Sequence, residues 1–295
     1  MAELFSLKGK RVLVAGYTGM AGGAIWRRLQ SEDCERIGVG HADLDMIRQK
    51  ETEEYLAEVK PDVMFVAAAK VGGIYANSTR PAEFLYENLA IETNLIHAAK
   101  DVGVKKLMFL GSSCIYPRLS PQPMKEEALL TGPLEPTNEG YALAKIAGIR
   151  MCDYYRKEYG CDFISAMPTN LYGPGDRYDP VNGHVVAALI MKVHAAKASG
   201  AAAITLWGTG KALREFLFTE DLADAVVFMM KHYSAPGHLN VGTGTDITIR
   251  ELAEAIAAAA GWHGDIVYDP SKPDGMPRKV MDVSRLAALG WKAKT

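Results

Sequence analysis

The sequence predicts an α/β fold, a Rossmann-type doubly wound parallel sheet with a smaller C-terminal α/β substrate-binding lobe. Short apolar runs bounded by turn residues alternate with helical stretches, which is the pattern of βαβ units whose sheet is covered on both faces. A glycine-rich loop joins the first of these runs to the first helical stretch. After residue 168 the alternation loosens into short segments separated by glycines, which indicates a second, smaller lobe.

The individual elements follow in chain order. We predict strands at four short apolar or β-branched runs, residues 11–15, 63–67, 106–110 and 163–168. We predict helices over four longer stretches, residues 21–30, 84–100, 184–198 and the alanine-rich 253–260. Because strands and helices alternate in the first half of the chain, the strands should lie side by side in one parallel sheet.

Composition narrows the range of partners. The chain has 295 residues, of which 48% are apolar, and a formal net charge of -2. This length and apolar content allow a large buried core. A chain without excess positive charge has no field that collects phosphate backbones, so we expect no nucleic-acid partner. The ligand should be a small molecule.

The cysteines and the apolar runs bear on metals, disulfides and membranes. The four cysteines have none of the spacings typical of metal ligands or of a disulfide framework, and they are Cys34, Cys114, Cys152 and Cys161. We therefore expect no metal site and a reducing compartment. Residues 1–10 carry no apolar signal core, and no apolar run reaches the length of a membrane span. The expected location is the cytoplasm, without a membrane partner.

The glycine loop after the first predicted strand indicates a dinucleotide site. The loop runs through Gly16, Tyr17, Thr18, Gly19, Met20, Ala21 and Gly22, directly before the first predicted helix. Glycines at these positions allow a tight turn and a close approach of the backbone to a pyrophosphate at a helix N-terminus. A glycine-rich turn without a ligand is the alternative, but the strand before it and the helix after it favour a dinucleotide. The GxxGxxG spacing is typical of extended short-chain dehydrogenases.

This placement suggests the division of the chain. We expect residues 1–170 to form an NAD(P)-binding domain, to which later segments, from about residue 205 to residue 245, return. Residues 171–295 should form mainly the substrate-binding lobe.

Three polar side chains predict carbonyl chemistry. Tyr141 and Lys145 stand four residues apart at the start of a predicted helix, so both project from one face. A nearby ammonium should lower the pKa of the tyrosine from its usual value toward neutral pH. Ser112 lies just beyond the fourth strand of the chain, predicted over residues 106–110, and open α/β sheets bind ligands at the carboxyl ends of their strands. A tyrosine and a lysine at this spacing alone are often surface residues without a catalytic role. The glycine loop, then Ser112, then this pair, in that order along the chain, indicate a dehydrogenase site.

With these motifs in place, the sequence resembles the GDP-L-fucose synthases, epimerase-reductases that act on GDP-4-keto-6-deoxy-D-mannose. The resemblance begins at the glycine loop and extends nearly to the end of the chain. Its further stretches are 67–73 (AAAKVGG), 111–117 (GSSCIYP), 135–139 (EPTNE), 141–148 (YALAKIAG), 168–174 (PTNLYGP), 214–217 (REFL) and 272–275 (KPDG).

The resemblance implies roles for particular residues. Ser112, Tyr141 and Lys145 would form the reductive triad, and Cys114 and His184 would exchange protons during epimerisation. The cofactor would contact the glycine loop, Lys145 and His184, with Leu110, Gly111, Ser112, Ser113, Pro168, Thr169, Asn170 and Leu171 bordering its nicotinamide. The GDP-sugar would contact Lys192, Trp207, Arg214 and Asp274. The family is also expected to form homodimers through helices that flank the sheet.

The chemistry fits these assignments. A keto group at C4 of the sugar acidifies the protons on C3 and C5, so an acid and a base beside the ring can invert both centres through enolates. Cysteine and histidine titrate near neutral pH, as this task requires. Without the resemblance, Cys114 would be read as a buried thiol and His184 as a histidine at a helix start.

The cofactor assignment is NADP, as NADPH, with NAD left open. Relatives usually carry an arginine where Thr18 stands and further arginines near Val39 and His41, where charge would meet the 2′-phosphate of NADP. No acid directly ends the predicted second strand, where it would bind the ribose of NAD, and Asp43 is the nearest. Arg36 and Lys70 are further candidates for the phosphate.

Alternative functions remain open at this point. The chain could be a related enzyme of the GDP-colitose synthase type, or an NAD-dependent nucleotide-sugar 4-epimerase. A non-catalytic dinucleotide-sensing protein on the same fold is a third alternative, since fold alone does not imply activity. The presence of Ser112, Tyr141 and Lys145 together argues against the third, and Cys114 with His184 argues against a simple 4-epimerase.

Overall fold

The computed structural model of the chain describes residues 3–179, 183–272, 274 and 276–295. Pro273 and Gly275 of the stretch 272–275 therefore lie outside the described residues.

The secondary structure alternates strands and helices over most of the chain. The strands are β1 (Arg11–Ala15), β2 (Glu35–Val39), β3 (Val63–Val66), β4 (Lys106–Leu110), β5 (Asp162–Pro168), β6 (Asn170–Tyr172), β7 (Ala203–Trp207), β8 (Leu213–Arg214), β9 (Phe216–Phe218), β10 (His238–Val241), β11 (Ile247–Thr248), β12 (Asp265–Asp269) and β13 (Arg278–Lys279). The helices are α1 (Met20–Arg28), α2 (Gln49–Val59), α3 (Ile74–Thr79), α4 (Pro81–Asp101), α5 (Glu139–Tyr159), α6 (Val185–Ser199), α7 (Thr219–His232), α8 (Ile249–Ala260) and α9 (Ser284–Ala288).

A parallel sheet of six strands forms the centre of the molecule, in the order β10-β5-β4-β3-β1-β2. Strand β1 pairs with β2 on one side and with β3 on the other, so the chain reverses its direction of travel across the sheet at β1. In open α/β sheets ligands bind outside the carboxyl ends of the strands at such a switch point. The fold thus places its ligand cleft between the ends of β1 and β3.

Alternate residues of the central strands pack into two separate hydrophobic cores, one on each face of the sheet. In β1, Leu13 and Ala15 face a core that contains residues of α2, α4 and α5, whereas Val12 and Val14 face a core that contains residues of α1 and α7. Successive side chains of a strand point to opposite faces of the sheet, and helices cover both faces here. The predicted doubly wound parallel sheet is confirmed.

The predicted elements match the observed ones with small shifts at their ends. The predicted helix over 84–100 begins earlier, at Pro81, where proline is favoured in the first turn. The alanine-rich helix predicted over 253–260 begins at Ile249, because Thr248 and Glu251 form a capping box at its N-terminus. Alanine content alone did not reveal that start.

The C-terminal half contributes to two regions. Helix α7 and strand β10 pack into the main sheet layers, while a third core joins α6 and α8 to the paired strands β7 and β12. Short pairings of β8 with β11 and β13, and of β6 with β9, lie beside it. The division into two domains near residue 170 stays a prediction.

Among the described residues, no helix has the length and apolar content needed to cross a membrane.

Candidate active site

A cleft of about 550 Å³ opens at the carboxyl ends of β1, β3, β4 and β5. The glycine loop after β1 forms one wall, and the segment after β3 forms another. The rest of the lining comes from residues 41 and 44–47, Glu87, Ile91, residues 111–113, Tyr141, residues 168–171, residues 184–186 and Phe216. Segments far apart in the sequence thus meet at the switch point of the sheet.

The glycine loop approaches its neighbours too closely for side chains. Gly16 has φ +85°, and a Cβ there would lie 2.8 Å from the backbone nitrogen of Ala68. A Cβ on Gly22 would lie 2.1 Å from the carbonyl oxygen of Gly16. Gly19 is the N-cap of α1, so the first N–H groups of this helix and its dipole face the loop, which favours an anion. The cradle therefore fits the pyrophosphate of a dinucleotide.

The predicted cofactor residues of this loop do not all face the cleft. Thr18, Met20 and Ala21 line it together with the three glycines. The ring of Tyr17 instead packs 5.2 Å from the ring of Trp26 and occupies the space that a Cβ on Gly38 would need. Tyr17 can therefore offer the cofactor only its backbone.

The edge of the cleft beside β2 has an unusual set of side chains for a phosphate site. Thr18 and Asp43 flank Gly40, whose N–H donates to the Asp43 carboxylate at 2.8 Å, and His41 lines the cleft. Arg36, a candidate for the 2′-phosphate, stacks on the Trp26 ring at 4.6 Å and donates to the Trp26 carbonyl. Its guanidinium is therefore engaged elsewhere.

Lys70, the other candidate, is engaged as well. Its ammonium lies in the cleft lining but forms ion pairs with the carboxylates of Glu83 and Glu87, the latter at 2.9 Å. Among the described residues of this edge, Thr18, His41 and Asp43 remain to meet the adenosine ribose.

The reductive triad lies between β4 and α5. Ser112 directly follows β4 and lines the cleft, as does Tyr141 in the first turn of α5. Lys145 is buried behind Tyr141, with its ammonium 5.9 Å from the Tyr141 ring and 4.7 Å from the ring of Phe109. The Lys145 ammonium also lies 3.6 Å from the carboxylate of Glu92 on α4.

The electrostatics of Tyr141 correct the sequence prediction. Burial raises the pKa of the Tyr141 phenol above its usual value, and the nearby Cys114 and Glu92 groups raise it further. The prediction that Lys145 would bring this pKa toward neutral pH was wrong. Desolvation is the largest cause of this rise, and the charge of the Lys145 ammonium is balanced by Glu92. The phenol consequently stays protonated, which suits a proton donor.

Cys114 lies two residues after Ser112, in a short turn that follows β4, and its thiol is buried. Burial raises the pKa of this thiol, while the Lys279 ammonium, a hydrogen bond to Ser112 and the Lys145 ammonium oppose the rise. The expectation that this cysteine titrates near neutral pH was therefore wrong. Lys279 comes from β13 and was missed by sequence reasoning, because a lysine at that position belongs to no motif.

His184 lies at the N-cap of α6 and lines the cleft. Its Nδ1 atom is 3.1 Å from the carboxylate of Asp176, which is almost fully buried. Because an ionised carboxylate only accepts hydrogen bonds, Nδ1 carries the proton of this pair and Nε2 is left to exchange one. Asp176 was also missed by sequence reasoning.

The two segments predicted to border the nicotinamide lie side by side at the ends of β4 and β5. Gly111, Ser112 and Ser113 line the cleft, as do Pro168, Thr169, Asn170 and Leu171. Leu110 is buried in the core. The carbonyl of Glu215 accepts hydrogen bonds from Asn170 at 2.8 Å and Thr169 at 3.3 Å, which fixes this edge.

The four residues predicted to contact the GDP-sugar lie outside the lining of that cleft but near one another. Asp274 accepts hydrogen bonds from the Thr209 backbone and hydroxyl, at 2.6 and 2.7 Å, in the loop after β7. Arg214 on β8 donates to the Asp274 carbonyl at 3.3 Å. Trp207 ends β7 with an exposed ring, and Lys192 donates to the β7 carbonyl of Thr205.

No group of three His, Cys, Asp or Glu side chains capable of holding a metal ion occurs within the part of the chain that the structure describes.

Comparison with known proteins gives one consistent family. Residues 12–242 match the model of the NAD dependent epimerase/dehydratase family. A GDP-L-fucose synthase from Sinorhizobium fredii is 55% identical over 99% of this chain and 93% of its own length. A GDP-L-fucose synthetase from Naegleria fowleri, solved with NADP bound, superposes with a TM-score of 0.91 at 26% identity, over 100% of this chain and 92% of that one. A GDP-6-OMe-4-keto-L-xylo-heptose reductase from C. jejuni superposes with the same TM-score at 33% identity, over 97% and 94% of the two chains.

Proposed function

The chain belongs to the NAD dependent epimerase/dehydratase family and, within it, to the GDP-L-fucose synthases, and from this premise we propose how its cleft carries out that activity. The enzyme converts GDP-4-keto-6-deoxy-D-mannose to GDP-L-fucose by epimerisation at C3 and C5 and NADPH-dependent reduction at C4. The assignment of roles to residues rests on one observation. Ser112, Tyr141 and His184 all line the same dinucleotide cleft.

Epimerisation comes first in this proposal and uses Cys114 and His184. The C4 keto group acidifies the neighbouring C–H bonds, so that one of the two residues removes a proton and the other returns one to the opposite face of the ring. Asp176 holds the imidazole through Nδ1. Burial raises the pKa of the Cys114 thiol, and the nearby Lys279 ammonium opposes that rise. Ser112 and Tyr141 stabilise the negative charge that develops on the C4 oxygen.

Reduction then uses the same polar groups at C4. When bound, NADPH supplies the hydride. Tyr141, whose phenol is kept protonated by burial, donates its proton to the C4 oxygen, and Ser112 holds that oxygen by its hydroxyl. One pair of side chains thus serves the enolate and the alkoxide, because both place negative charge on the same oxygen.

The residues that recognise the nucleotide in this proposal lie beside β7 and β8, and they are Lys192, Trp207, Arg214 and Asp274. The guanidinium of Arg214 suits a diphosphate, since its planar donors match two phosphate oxygens. The exposed ring of Trp207 offers a face for the base or sugar. Asp274 ties the loop after β7 to Arg214, and Lys192 adds positive charge on α6.

We also propose that the enzyme is a cytoplasmic homodimer that pairs through α4 and α5. These helices lie side by side on one face of the sheet, and Tyr86, Leu143 and Tyr154 expose apolar surface on them. The four free cysteines suit a reducing compartment. Light scattering after size exclusion should give twice the chain mass for the parent and the chain mass for Tyr154→Glu. A monomeric parent would refute the dimer.

A labelling experiment tests the function itself. The purified protein is incubated with GDP-4-keto-6-deoxy-D-mannose in D₂O, first without reduced cofactor and then with NADPH. We expect deuterium at C3 and C5 in the first stage and GDP-L-fucose in the second. Cys114→Ala and His184→Ala should suppress the exchange, whereas Cys161→Ala, which removes a thiol beyond the C-terminal end of α5, should not.

The same experiment separates the alternatives. Reduction at C4 without exchange would identify a simple C4 reductase and refute the epimerase assignment. Undiminished exchange in both Cys114→Ala and His184→Ala would remove these residues from the proton-transfer role.

A further inference from the structure

A buried carboxylate that does not line the cleft stands next to the reductive triad. Glu92 lies in the middle of α4, and its carboxylate is 3.6 Å from the Lys145 ammonium on α5. The two side chains are 1% and 3% exposed, respectively. The sequence gives no motif for Glu92, and the mechanism above does not use it.

The surroundings of Glu92 leave Lys145 as its main partner. Neither carboxylate oxygen forms a hydrogen bond of good geometry among the described residues. The Lys145 ammonium lies 3.6 Å away, and the backbone N–H of Gly148 also acts on the carboxylate. From α5, Tyr141 and the thiol of Cys152 also face the carboxylate. Cys114 faces Lys145 and is itself faced by Lys279. Lys145 further contacts the ring of Phe109 on β4.

Stability alone does not account for such a pair. Desolvation of two charges costs several kcal/mol, and replacing a buried ion pair by apolar residues is often neutral or stabilising. What the carboxylate does provide is one negative charge next to two groups, Tyr141 and Lys145, that must both hold a proton when hydride arrives.

We propose that Glu92 is a positioning residue of the reduction, which holds the Lys145 ammonium behind Tyr141 and keeps the proton on each of these two groups at alkaline pH. The proposal rests on the proposed function of this site. Glu92 has no contact with the substrate or the cofactor and acts only through Lys145 and Tyr141.

The sign of each charge effect supports this role of Glu92. Burial raises the pKa of Glu92 to about 7 against the opposing charge of Lys145, so the carboxylate is negative in the alkaline range. There it raises the pKa of Lys145 against desolvation and adds to the raised pKa of Tyr141. Whichever of the two loses its proton first, that loss is easier without the carboxylate.

The test is the pH profile of C4 reduction at saturating NADPH, between pH 6 and pH 10. In Glu92→Gln, which has the same shape without the charge, the alkaline limb should move to lower pH by about one unit or more, the usual effect of a charge within 4–6 Å. Glu92→Asp should restore part of the shift. Asp101→Asn, which removes an exposed carboxylate from the same helix, should leave the profile unchanged.

A second measurement does not depend on the sugar. Tyrosinate absorbance, as the difference from Tyr141→Phe, and the ¹³Cε signal of Lys145 are followed against pH in the NADP⁺ complex. The first proton loss should occur at lower pH in Glu92→Gln than in the parent. If Glu92→Gln does not fold, Glu92→Asp should show a smaller shift in the same direction.

The two claims fail separately. A parent enzyme without turnover refutes the proposed function, and the spectroscopic titration then decides the role of Glu92. An active parent whose alkaline limb and titrations are unchanged in Glu92→Gln refutes the positioning role alone.

Discussion

The Nδ1 atom of His184 lies 3.1 Å from a carboxylate oxygen of Asp176, whose side chain is only 4% exposed. A carboxylate at this position selects the tautomer in which Nδ1 carries the proton and Nε2 is free to exchange one. The histidine is thereby prepared for repeated proton exchange with the sugar ring.

This pair gives the first prediction. Asp176→Asn should lower deuterium exchange at C3 or C5 by about ten- to a hundredfold, the scale on which a supporting group of a histidine acts. NADPH binding should change little. Asp33→Asn, at an exposed surface carboxylate, is the control. Exchange within about twofold of the parent would show that His184 does not depend on Asp176.

The second prediction concerns the proton donor. Tyr141→Phe should reduce the rate of C4 reduction by about 10² or more, the usual cost of losing a positioned acid. The ring is kept, so the variant should remain folded and bind NADPH. Tyr159→Phe, at the exposed end of the same helix, should have parent activity. A folded Tyr141→Phe enzyme with a rate within a few-fold of the parent would remove Tyr141 from the triad.

These two predictions differ in how far the sequence could supply them. Tyr141 and Lys145 are four residues apart on one helix, and Ser112 lies two residues beyond the end of a strand, so local patterns placed all three. The contacts of Asp176 and Glu92 depend on how a loop meets α6 and on how α4 packs against α5. Such contacts between separate elements leave no periodic signal in one sequence.

Two features of the site lay beyond local sequence patterns for the same reason. The glycine loop predicted the cofactor site, but not that the Tyr17 ring packs under β2 beside Gly38. The Tyr141–Lys145 spacing predicted proximity, but not that burial determines the direction in which the pKa of Tyr141 shifts. Both outcomes depend on which groups surround a side chain, and hence on the folded core.

The third prediction concerns stability against acid. His238 on β10 is buried and pairs with the Tyr116 hydroxyl at 2.9 Å. Burial lowers the pKa of His238 to about 4, so between pH 6.5 and pH 4 the unfolded chain binds a proton that the folded chain does not. The neutral His238 therefore contributes about 3 kcal/mol to the free energy of unfolding. This stabilisation is fully present above pH 6.5 and is lost as the pH falls toward 4.

Urea unfolding at a series of pH values measures this. The free energy of unfolding should fall less steeply below pH 6.5 in His238→Gln than in the parent. His263→Gln, at an exposed histidine, should keep the parent slope. Equal slopes in the parent and in His238→Gln would show that the folded protein accommodates a charged His238.

The last prediction concerns the choice between NADPH and NADH. Thr18 and Asp43 flank Gly40 at the edge of the cleft beside β2, where the 2′-phosphate of NADPH would lie, and Arg36 and Lys70 are engaged with Trp26, Glu83 and Glu87. A hydrogen bond from a charged group contributes about 1.5–3 kcal/mol, so an arginine here would change the discrimination between NADPH and NADH by roughly ten- to a hundredfold.

Without an arginine at this edge, and with a carboxylate nearby, the enzyme should use NADPH but accept NADH more readily than an enzyme with arginine at position 18. Thr18→Arg should widen the gap at every pH, whereas Thr131→Arg, on the exposed surface, should not. The measurement is the ratio of kcat/KM for the two cofactors between pH 6 and pH 8. A parent that rejects NADH by more than about 10³, or roughly 4 kcal/mol, would show that groups other than Thr18, His41 and Asp43 bind the 2′-phosphate.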